Sequence, residues 1–110
     1  MLKQSDYFKI LVTVPVEVAD KVRSAMAKAG AGQQGDYDSC SFSSQGIGRF
    51  RPLKGAQPAI GEVGKLEEVA EETITTICHN DLLPKVVAAI KAAHPYEEPT
   101  IDIVPRFEIE

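Results

Sequence analysis

The sequence predicts an α+β fold in which two helices cover one face of a four-stranded antiparallel sheet. Apolar residues recur with period two in four segments and with helical spacing in two others, in the order strand, helix, strand, strand, helix, strand. The 110 residues suffice for one hydrophobic core, so we expect a single domain over 1–110. The hydrophobic content of 44% and the charged content of 25% are typical of a soluble globular protein.

The first strand and the first helix have the clearest patterns. From Tyr7 to Val14 the side chains alternate between an apolar and a mixed face, which predicts a strand with one buried side. Pro15 ends this strand, and apolar residues then recur at helical spacing over 18–29, before Gly30, a common helix terminator. The expected buried face of the strand consists of Phe8, Ile10, Val12 and Val14.

The middle of the chain is less strongly patterned. Residues 37–43 alternate between two faces, and we predict the second strand there. The segment from Gly46 to Gly64 contains five glycines and two prolines, which predicts a long central loop with short extended pieces. Residues 71–79 are rich in β-branched side chains and are predicted to form the third strand.

The second helix and the fourth strand complete the pattern. A buried stripe extends over 83–93, and Pro84 is tolerated in the first turn of such a helix. Residues 100–104 form the predicted fourth strand, with Ile101 and Ile103 facing inward. This order of elements is that of the split βαβ, or ferredoxin-like, fold.

One face of the predicted sheet is not covered by the helices. Either Leu11 and Ile77 or the residues on the opposite faces of their strands are expected there, so the face has apolar surface for another molecule to cover. We expect a homo-oligomer in which sheet packs on sheet. Phe107 and Ile109, near the end of the chain, are further candidates for contacts with a neighbouring subunit.

Composition and charge exclude several classes of function. The formal net charge is −4 and the basic residues are scattered, so the chain lacks the basic stripe that nucleic acid requires. The N-terminal apolar run is too short for a signal peptide or a membrane span, and we expect a cytoplasmic protein without membrane contact. Cys40 and Cys78 are too few for a disulfide framework, and we expect both to be reduced.

The motif HPYEEP at 94–99 places a histidine, a phenol and two carboxylates next to two prolines. Each proline disfavours helical geometry at the preceding residue, so the motif predicts first of all a helix-to-strand corner. Within it, Tyr96 and Glu97 are the residues that we expect to face a ligand or a neighbouring subunit.

Two chemical alternatives remain open for this corner. His94, Glu97, Glu98 and His79, with Cys78 as a further candidate, are an alternative set of ligands for a divalent metal, although their spacing is not that of a common zinc motif. His94 is also a candidate general base, in an enzyme acting on a small phosphorylated substrate. No activated nucleophile or acid/base pair accompanies it, so a non-enzymatic protein is favoured. We expect no cofactor, with a divalent metal as the alternative.

Arg49, Arg51 and Lys54 lie among the glycines of the predicted loop. Backbone amides and cations in such a segment can bind an anion. The segment has neither a Walker sequence nor a complete dinucleotide fingerprint, so a solvated loop and an oligomer contact are open alternatives. A small-molecule or anionic ligand near His94, Tyr96 and the three cations is the prediction.

Several motifs together resemble those of a known family. They are CSF at 40–42, GRFRP at 48–52, GAQP at 55–58 and HPYEEP at 94–99, with Gly35 and Gly61 at further matching positions. In combination they resemble the inserted domain of the YqfO family, also called NGG-one-interacting factor three-like or dinuclear-metal-centre proteins. The HPYE corner is also similar to that of CutA proteins.

The resemblance implies a PII/CutA-like version of the ferredoxin fold, assembly as a trimer and a ligand cleft between subunits beside the central loop. The metal-binding residues of the full-length family belong to the larger domain that the insert interrupts, so the resemblance does not imply hydrolase-like activity for this chain. We expect a stand-alone form of the insert that serves as a binding or regulatory module of unknown ligand.

Overall fold

A computed structural model describes residues 1–110 and confirms the predicted α+β fold. The strands are β1 (Leu2–Gln4), β2 (Tyr7–Pro15), β3 (Phe42–Phe50), β4 (Glu67–His79), β5 (Ile101–Val104) and β6 (Phe107–Ile109). The helices are α1 (Ala19–Lys28) and α2 (Leu83–Ala93), preceded by single 3-10 turns at Val16–Val18 and Asn80–Leu82.

The main sheet is antiparallel, with the strand order β3-β4-β2-β5. β2 is central: it pairs with β4 along its whole length and with β5 from Lys9 to Val12. α1 and α2 pack against each other over one face of this sheet. The arrangement is the ferredoxin-like order that the sequence predicts.

The hydrophobic core lies between the two helices and the inward face of β2 and β4. Of the four residues on the expected buried face of β2, Ile10, Val12 and Val14 are fully buried, whereas Phe8 is partly buried. Ile74 of β4 is also fully buried. The helices contribute Val22, Met26, Val86 and Ile90. Because full burial of one such side chain contributes about 1.5–3 kcal/mol, this shared face supplies most of the driving force for folding.

The second strand lies later in the chain than predicted. β3 spans Phe42–Phe50, whereas the sequence pattern placed a strand at 37–43 and a loop from Gly46 onward. β3 forms by pairing with β4, which begins at Glu67, four residues before the predicted start. Main-chain hydrogen bonds to a neighbouring strand do not require an apolar pattern, which is why the glycine-rich segment is extended.

Residues 37–41 adopt irregular turns instead of a strand, and Ser39 has a positive φ of 58°. The segment is tied to the sheet through Gly32, whose carbonyl accepts from the Cys40 N–H at 3.0 Å and whose own N–H donates to the Ile77 carbonyl at 2.7 Å. The central loop is therefore the shorter segment 51–66, between β3 and β4.

The two ends of the chain form an additional hairpin-like ribbon that the sequence pattern did not reveal. β1 and β6 pair in an antiparallel two-stranded sheet, with Leu2 opposite Ile109 and Gln4 opposite Phe107. Phe107 and Ile109 thus have main-chain partners within the chain, while their side chains are exposed. Runs of three residues are too short for a period to be recognised in sequence.

The inward face of the edge strand β5 is only partly buried. Ile101 packs against the core, as predicted. Ile103 lies opposite Ile10 and on the same face, but it is 43% exposed because β5 is the outermost strand. Both isoleucines therefore face inward, as predicted, but only Ile101 packs against the core.

The sheet face opposite the helices is open to solvent. Leu11 and Ile77 lie on it and are partly exposed, so the structure decides between the two alternatives that the sequence left open. The cross-strand register adds Phe42 and Val104, whose side chains are largely exposed. Neither helix has the length and apolar character needed to cross a membrane.

Arg23 joins α1 to the sheet. Its guanidinium donates to Glu72 Oε2 at 2.6 Å and to Ser43 Oγ at 3.0 Å, and it also pairs with Asp20 on its own helix. The hydrogen bonds to the two carboxylates raise the pKa of Arg23. Glu72 is nearly buried, so its carboxylate depends on this one cation.

Arg23→Met is expected to lower the free energy of unfolding by about 1–2 kcal/mol, because it keeps the aliphatic stem but leaves Glu72 without its partner. The value is below that of a fully buried pair because Arg23 itself is partly solvated. Urea denaturation measures it, with Lys21→Met on the exposed side of α1 as the matched control. Equal stability of the two variants would contradict this role.

Candidate functional site

A cleft of about 610 Å³ lies where the HPYEEP corner meets β3 and the central loop. The corner comes from the end of α2, the opposite wall from β3, and the floor from the uncovered face of β4 and β2. Side chains important to its chemistry are Phe50, Glu71, Tyr96, Glu97 and Glu98.

His94 fixes the corner from below. It is the C-cap of α2 and only 6% exposed. Its Nε2 lies 2.7 Å from the Thr13 carbonyl oxygen, and its Nδ1 accepts the Tyr96 N–H at 3.1 Å. Because a carbonyl can only accept, Nε2 must hold the proton while Nδ1 accepts. Both ring nitrogens therefore have partners, and the imidazole connects the end of α2 to β2.

Tyr96 turns from the corner into the cleft. Its hydroxyl donates to Glu71 Oε2 at 2.8 Å. Its ring lies edge-on to Phe50, with 5.6 Å between centroids, and 5.0 Å from the His94 ring. Burial, and then the hydrogen bond to Glu71, raise the pKa of Tyr96 well above its ordinary value of 10.0. The phenol therefore stays protonated and acts as a hydrogen-bond donor at neutral pH.

Glu71 occupies space that only a glycine leaves free. Its side chain crosses the backbone of β3 at Gly48, where an added Cβ would lie 1.8 Å from Glu71 Oε1. At Gly46, two residues earlier on the same strand, an added Cβ would meet nothing within 4 Å. Gly48 is thus the residue that allows a carboxylate to lie over the strand.

The central loop is attached to the corner through Glu97. The Gln57 N–H donates to Glu97 Oε1 at 3.2 Å, across 40 positions of sequence. At the base of the loop, the Gly64 N–H donates to the carbonyl of the buried Pro52 at 2.8 Å. These contacts hold the loop as one wall of the cleft.

The structure brings most of the predicted ligand-facing residues together. Arg49, Arg51, Tyr96 and Glu97 line the cleft, and so does Glu98. Arg49 is already paired with Glu68, at 3.3 Å from Nε to Oε1.

Two of the predicted residues are not in the cleft lining. His94 lies beneath it, and Lys54 lies on the central loop outside it.

The structure does not bring the four residues of the alternative metal set together. His79 packs edge-on against Tyr7, and its Nδ1 accepts the Asp81 N–H at 3.2 Å. His94 contacts Thr13, six residues further along β2, which corresponds to about 20 Å of strand. The structure has no group of three or more His, Cys, Asp or Glu side chains arranged to hold a metal ion.

Glu71, Gly48 and Phe50 were missed as site residues. They were assigned to a predicted strand end and a predicted loop, and only the register of β3 against β4 brings them next to the corner. The available signal was a glycine pair at 46 and 48 facing a strand that begins with two carboxylates. Such a pairing indicates a side chain that needs space over a neighbouring backbone.

Tyr96→Phe is expected to change the dependence of stability on pH. The folded pKa of Tyr96 lies above the unfolded value, so its contribution is complete below pH 10 and is lost as pH rises through the folded pKa. The difference in free energy of unfolding between the native chain and Y96F should be constant up to about pH 10 and shrink above it. Urea denaturation across pH 7–12 measures this, with the exposed Tyr37→Phe as control.

A difference that does not depend on pH, or one that Tyr37→Phe reproduces, would show that the Tyr96 hydroxyl has no special environment.

Comparisons with known proteins place this domain within longer relatives. No protein-family model matches the chain. A Bacillus subtilis protein named GTP cyclohydrolase 1 type 2 homolog is 48% identical over 97 residues, which are 88% of this chain and 26% of that protein. A solved structure of a Bacillus cereus protein related to NIF3 has a TM-score of 0.79 and 42% identity, covering 96% of this chain and 26% of that chain.

A second group of solved structures is similar in fold. The periplasmic divalent cation tolerance protein CutA from Archaeoglobus fulgidus has a TM-score of 0.65 and 20% identity, over 91% of this chain and 83% of that chain. At this identity the likeness concerns the fold alone. The chain thus spans about a quarter of the length of the curated relatives it matches, and its fold is that of a nearly whole CutA chain.

Proposed function

Through this domain the chain belongs to the YqfO (NIF3-related) family, and we propose that it is a non-enzymatic, oligomeric binding or regulatory module whose small ligand occupies the corner cleft. Because the chain spans only a quarter of its curated relatives, the GTP cyclohydrolase of their names is not part of the proposal. We also propose a cytoplasmic location for the chain.

One observation supports this function above the others: the cleft joins the corner, β3 and the central loop, while Tyr96 in its lining and His94 beneath it already have structural partners. The Tyr96 hydroxyl donates to Glu71, and both nitrogens of His94 are bonded to backbone atoms. A general base or nucleophile needs a group free to exchange a proton with substrate. Positioned donors and acceptors around a preformed cleft favour binding instead.

The uncovered sheet face supports the oligomeric part of the proposal. It exposes apolar side chains from all four strands of the main sheet, on a surface that a monomer would leave in water. These residues are Leu11, Phe42, Ile77 and Val104. Sheet-to-sheet packing of several copies would bury them, and a homotrimer is the assembly we propose.

Native mass spectrometry of the purified chain, before and after chelation, tests the assembly and the metal alternative together. The expected spectrum is that of a trimer whose mass and assembly do not change when a chelator is added. A monomer at micromolar concentration would contradict the proposal. A stoichiometric divalent metal whose removal dissociates the assembly into monomers would favour the metal-binding alternative.

A further inference from the structure

Glu71 is a buried carboxylate in which one oxygen has no hydrogen-bond partner. The residue is only 9% exposed, and Oε2 accepts the Tyr96 hydroxyl. Oε1 accepts no hydrogen bond, and no Lys, Arg or His side chain lies within ion-pair distance of either oxygen. Because no buried side-chain oxygen in the chain is fully enclosed without a partner, Oε1 retains access to the cleft that Glu71 lines.

A buried carboxylate of this kind is costly unless a donor or a cation approaches it. Tyr96 provides one neutral donor, which satisfies part of that need. Its hydroxyl cannot neutralise the charge, because a phenol is neutral when protonated and negative when ionised. The second oxygen is therefore suited to a positively charged donor that enters from the cleft.

The walls around Glu71 suit the organic part of such a donor. Phe50 and Tyr96 present aromatic rings in an edge-to-face pair beside the carboxylate. Aromatic faces attract ammonium and guanidinium groups, and the attraction strengthens when water is excluded. Glu97 and Glu98 add negative charge at the rim, where neither has an ion-pair partner.

The positively charged side chains of the cleft lining have less influence near Glu71. The two arginines in the lining are Arg49, which is already paired with Glu68, and Arg51. An anion in the floor of the cleft would meet the Glu71 carboxylate directly. The floor thus favours a positive group, and any anionic part of a ligand would have to lie toward Arg51.

We propose that the cleft binds a small organic cation, whose ammonium, amidinium or guanidinium group donates hydrogen bonds to Glu71 Oε1 beside the rings of Phe50 and Tyr96. This inference rests on the proposed function, and it identifies the chemical class of ligand for the same cleft. Gly48 has a defined part in it, since the absence of a side chain there leaves Oε1 in place.

Titration of the ¹⁵N-labelled chain with benzamidine, followed by amide chemical shifts, tests the proposal. Benzamide is the control ligand, because it is nearly the same shape without the positive charge. Glu71→Gln is the test variant, since its amide oxygen can still accept the Tyr96 hydroxyl and the fold should persist. Glu62→Gln, an exposed carboxylate on the central loop outside the cleft lining, is the matched control.

The expected result is saturable shifts at Phe50, Glu71 and Tyr96 with benzamidine, at least tenfold weaker binding of benzamide, and a similar loss in E71Q but not in E62Q. Equal binding of benzamide and benzamidine, equal binding by E71Q and native chain, or no binding of benzamidine at millimolar concentration would each overturn the inference.

Inorganic phosphate titrated in parallel separates this inference from the proposed function. If phosphate shifts the amide signals of the cleft residues and benzamidine does not, the proposed cationic class of ligand is wrong. The proposal of a ligand-binding cleft would still stand. If the chain is also monomeric by native mass spectrometry and neither probe shifts the cleft, the proposed function fails as well.

Discussion

His94→Ala is expected to lower the free energy of unfolding by about 3 kcal/mol, the largest effect of any substitution proposed here. The imidazole is buried and bonded at both nitrogens, to the Thr13 carbonyl and to the Tyr96 N–H. Alanine leaves two backbone groups without partners in a region that water reaches poorly. Each such group costs about 1–3 kcal/mol, and the cavity left by the ring adds to the loss.

Urea denaturation at neutral pH measures this effect, and His79→Ala is the matched control. His79 also ends a secondary-structure element, but it is more exposed and its ring accepts a single backbone hydrogen bond. We expect H79A to lose about 1 kcal/mol or less. Similar losses of stability in both variants would contradict the proposal that His94 stabilises the corner through its two backbone hydrogen bonds. A native chain that loses stability when a chelator is added, with H94A insensitive to it, would make His94 a metal ligand.

Gly48→Ala is expected to destabilise the fold by about 2 kcal/mol, whereas Gly46→Ala should be neutral or slightly stabilising. The methyl group at position 48 would overlap the Glu71 carboxylate, which must then move away from Tyr96. At position 46 the added methyl group meets no neighbour, and alanine gains from the lower entropy of its unfolded chain. The two substitutions are chemically identical and lie on the same face of the same strand.

Thermal or urea unfolding gives the stability difference, and an alkaline absorbance titration reports on Tyr96 itself. Loss of the Glu71 carboxylate removes one of the causes that raise the pKa of Tyr96, so this phenol should ionise at lower pH in G48A than in the native chain. G46A should titrate as the native chain does. Equal stability and equal titration of the two variants would show that Glu71 adapts without leaving Tyr96.

The elements that bury apolar residues with a regular period could be predicted from the sequence. In β2 and β4 the alternation of Ile10, Val12 and Ile74 with residues of the opposite face follows directly from burial of one sheet face. In α1 and α2 the stripe follows from the packing of the helices on that face. The existence of an open face followed from the same alternation, and the structure places Leu11 and Ile77 on it.

β3 could not be predicted in the same way, because its residues are extended for a reason that lies elsewhere in the chain. Its hydrogen bonds go to β4, and its glycines leave space for Glu71. The feature that made this segment resemble a loop is therefore the feature that shapes the site. Local sequence records the glycines but not the carboxylate that lies over them.

For a related reason, only one part of the candidate site could be predicted from the sequence. The corner is a continuous motif, and its prolines and polar residues could be recognised together. The contacts of Tyr96 with Glu71 and Phe50 span 25 and 46 positions, and they depend on the register of two strands. Register is set by pairing across the whole sheet, so the second wall of the cleft appears only in the folded chain.

The bond from His94 to the Thr13 carbonyl also determines where the edge of the sheet ends. β5 pairs with β2 up to Val12, and the carbonyl of the next residue receives an imidazole instead of a main-chain amide. The imidazole thus limits the pairing of β5 with β2 to residues up to Val12. A further main-chain hydrogen bond to the Thr13 carbonyl would require the ring to move away. A slip of β5 by two residues would keep its side chains on the same faces, and hydrophobic burial alone would not prevent it. The histidine selects one of these otherwise similar alignments.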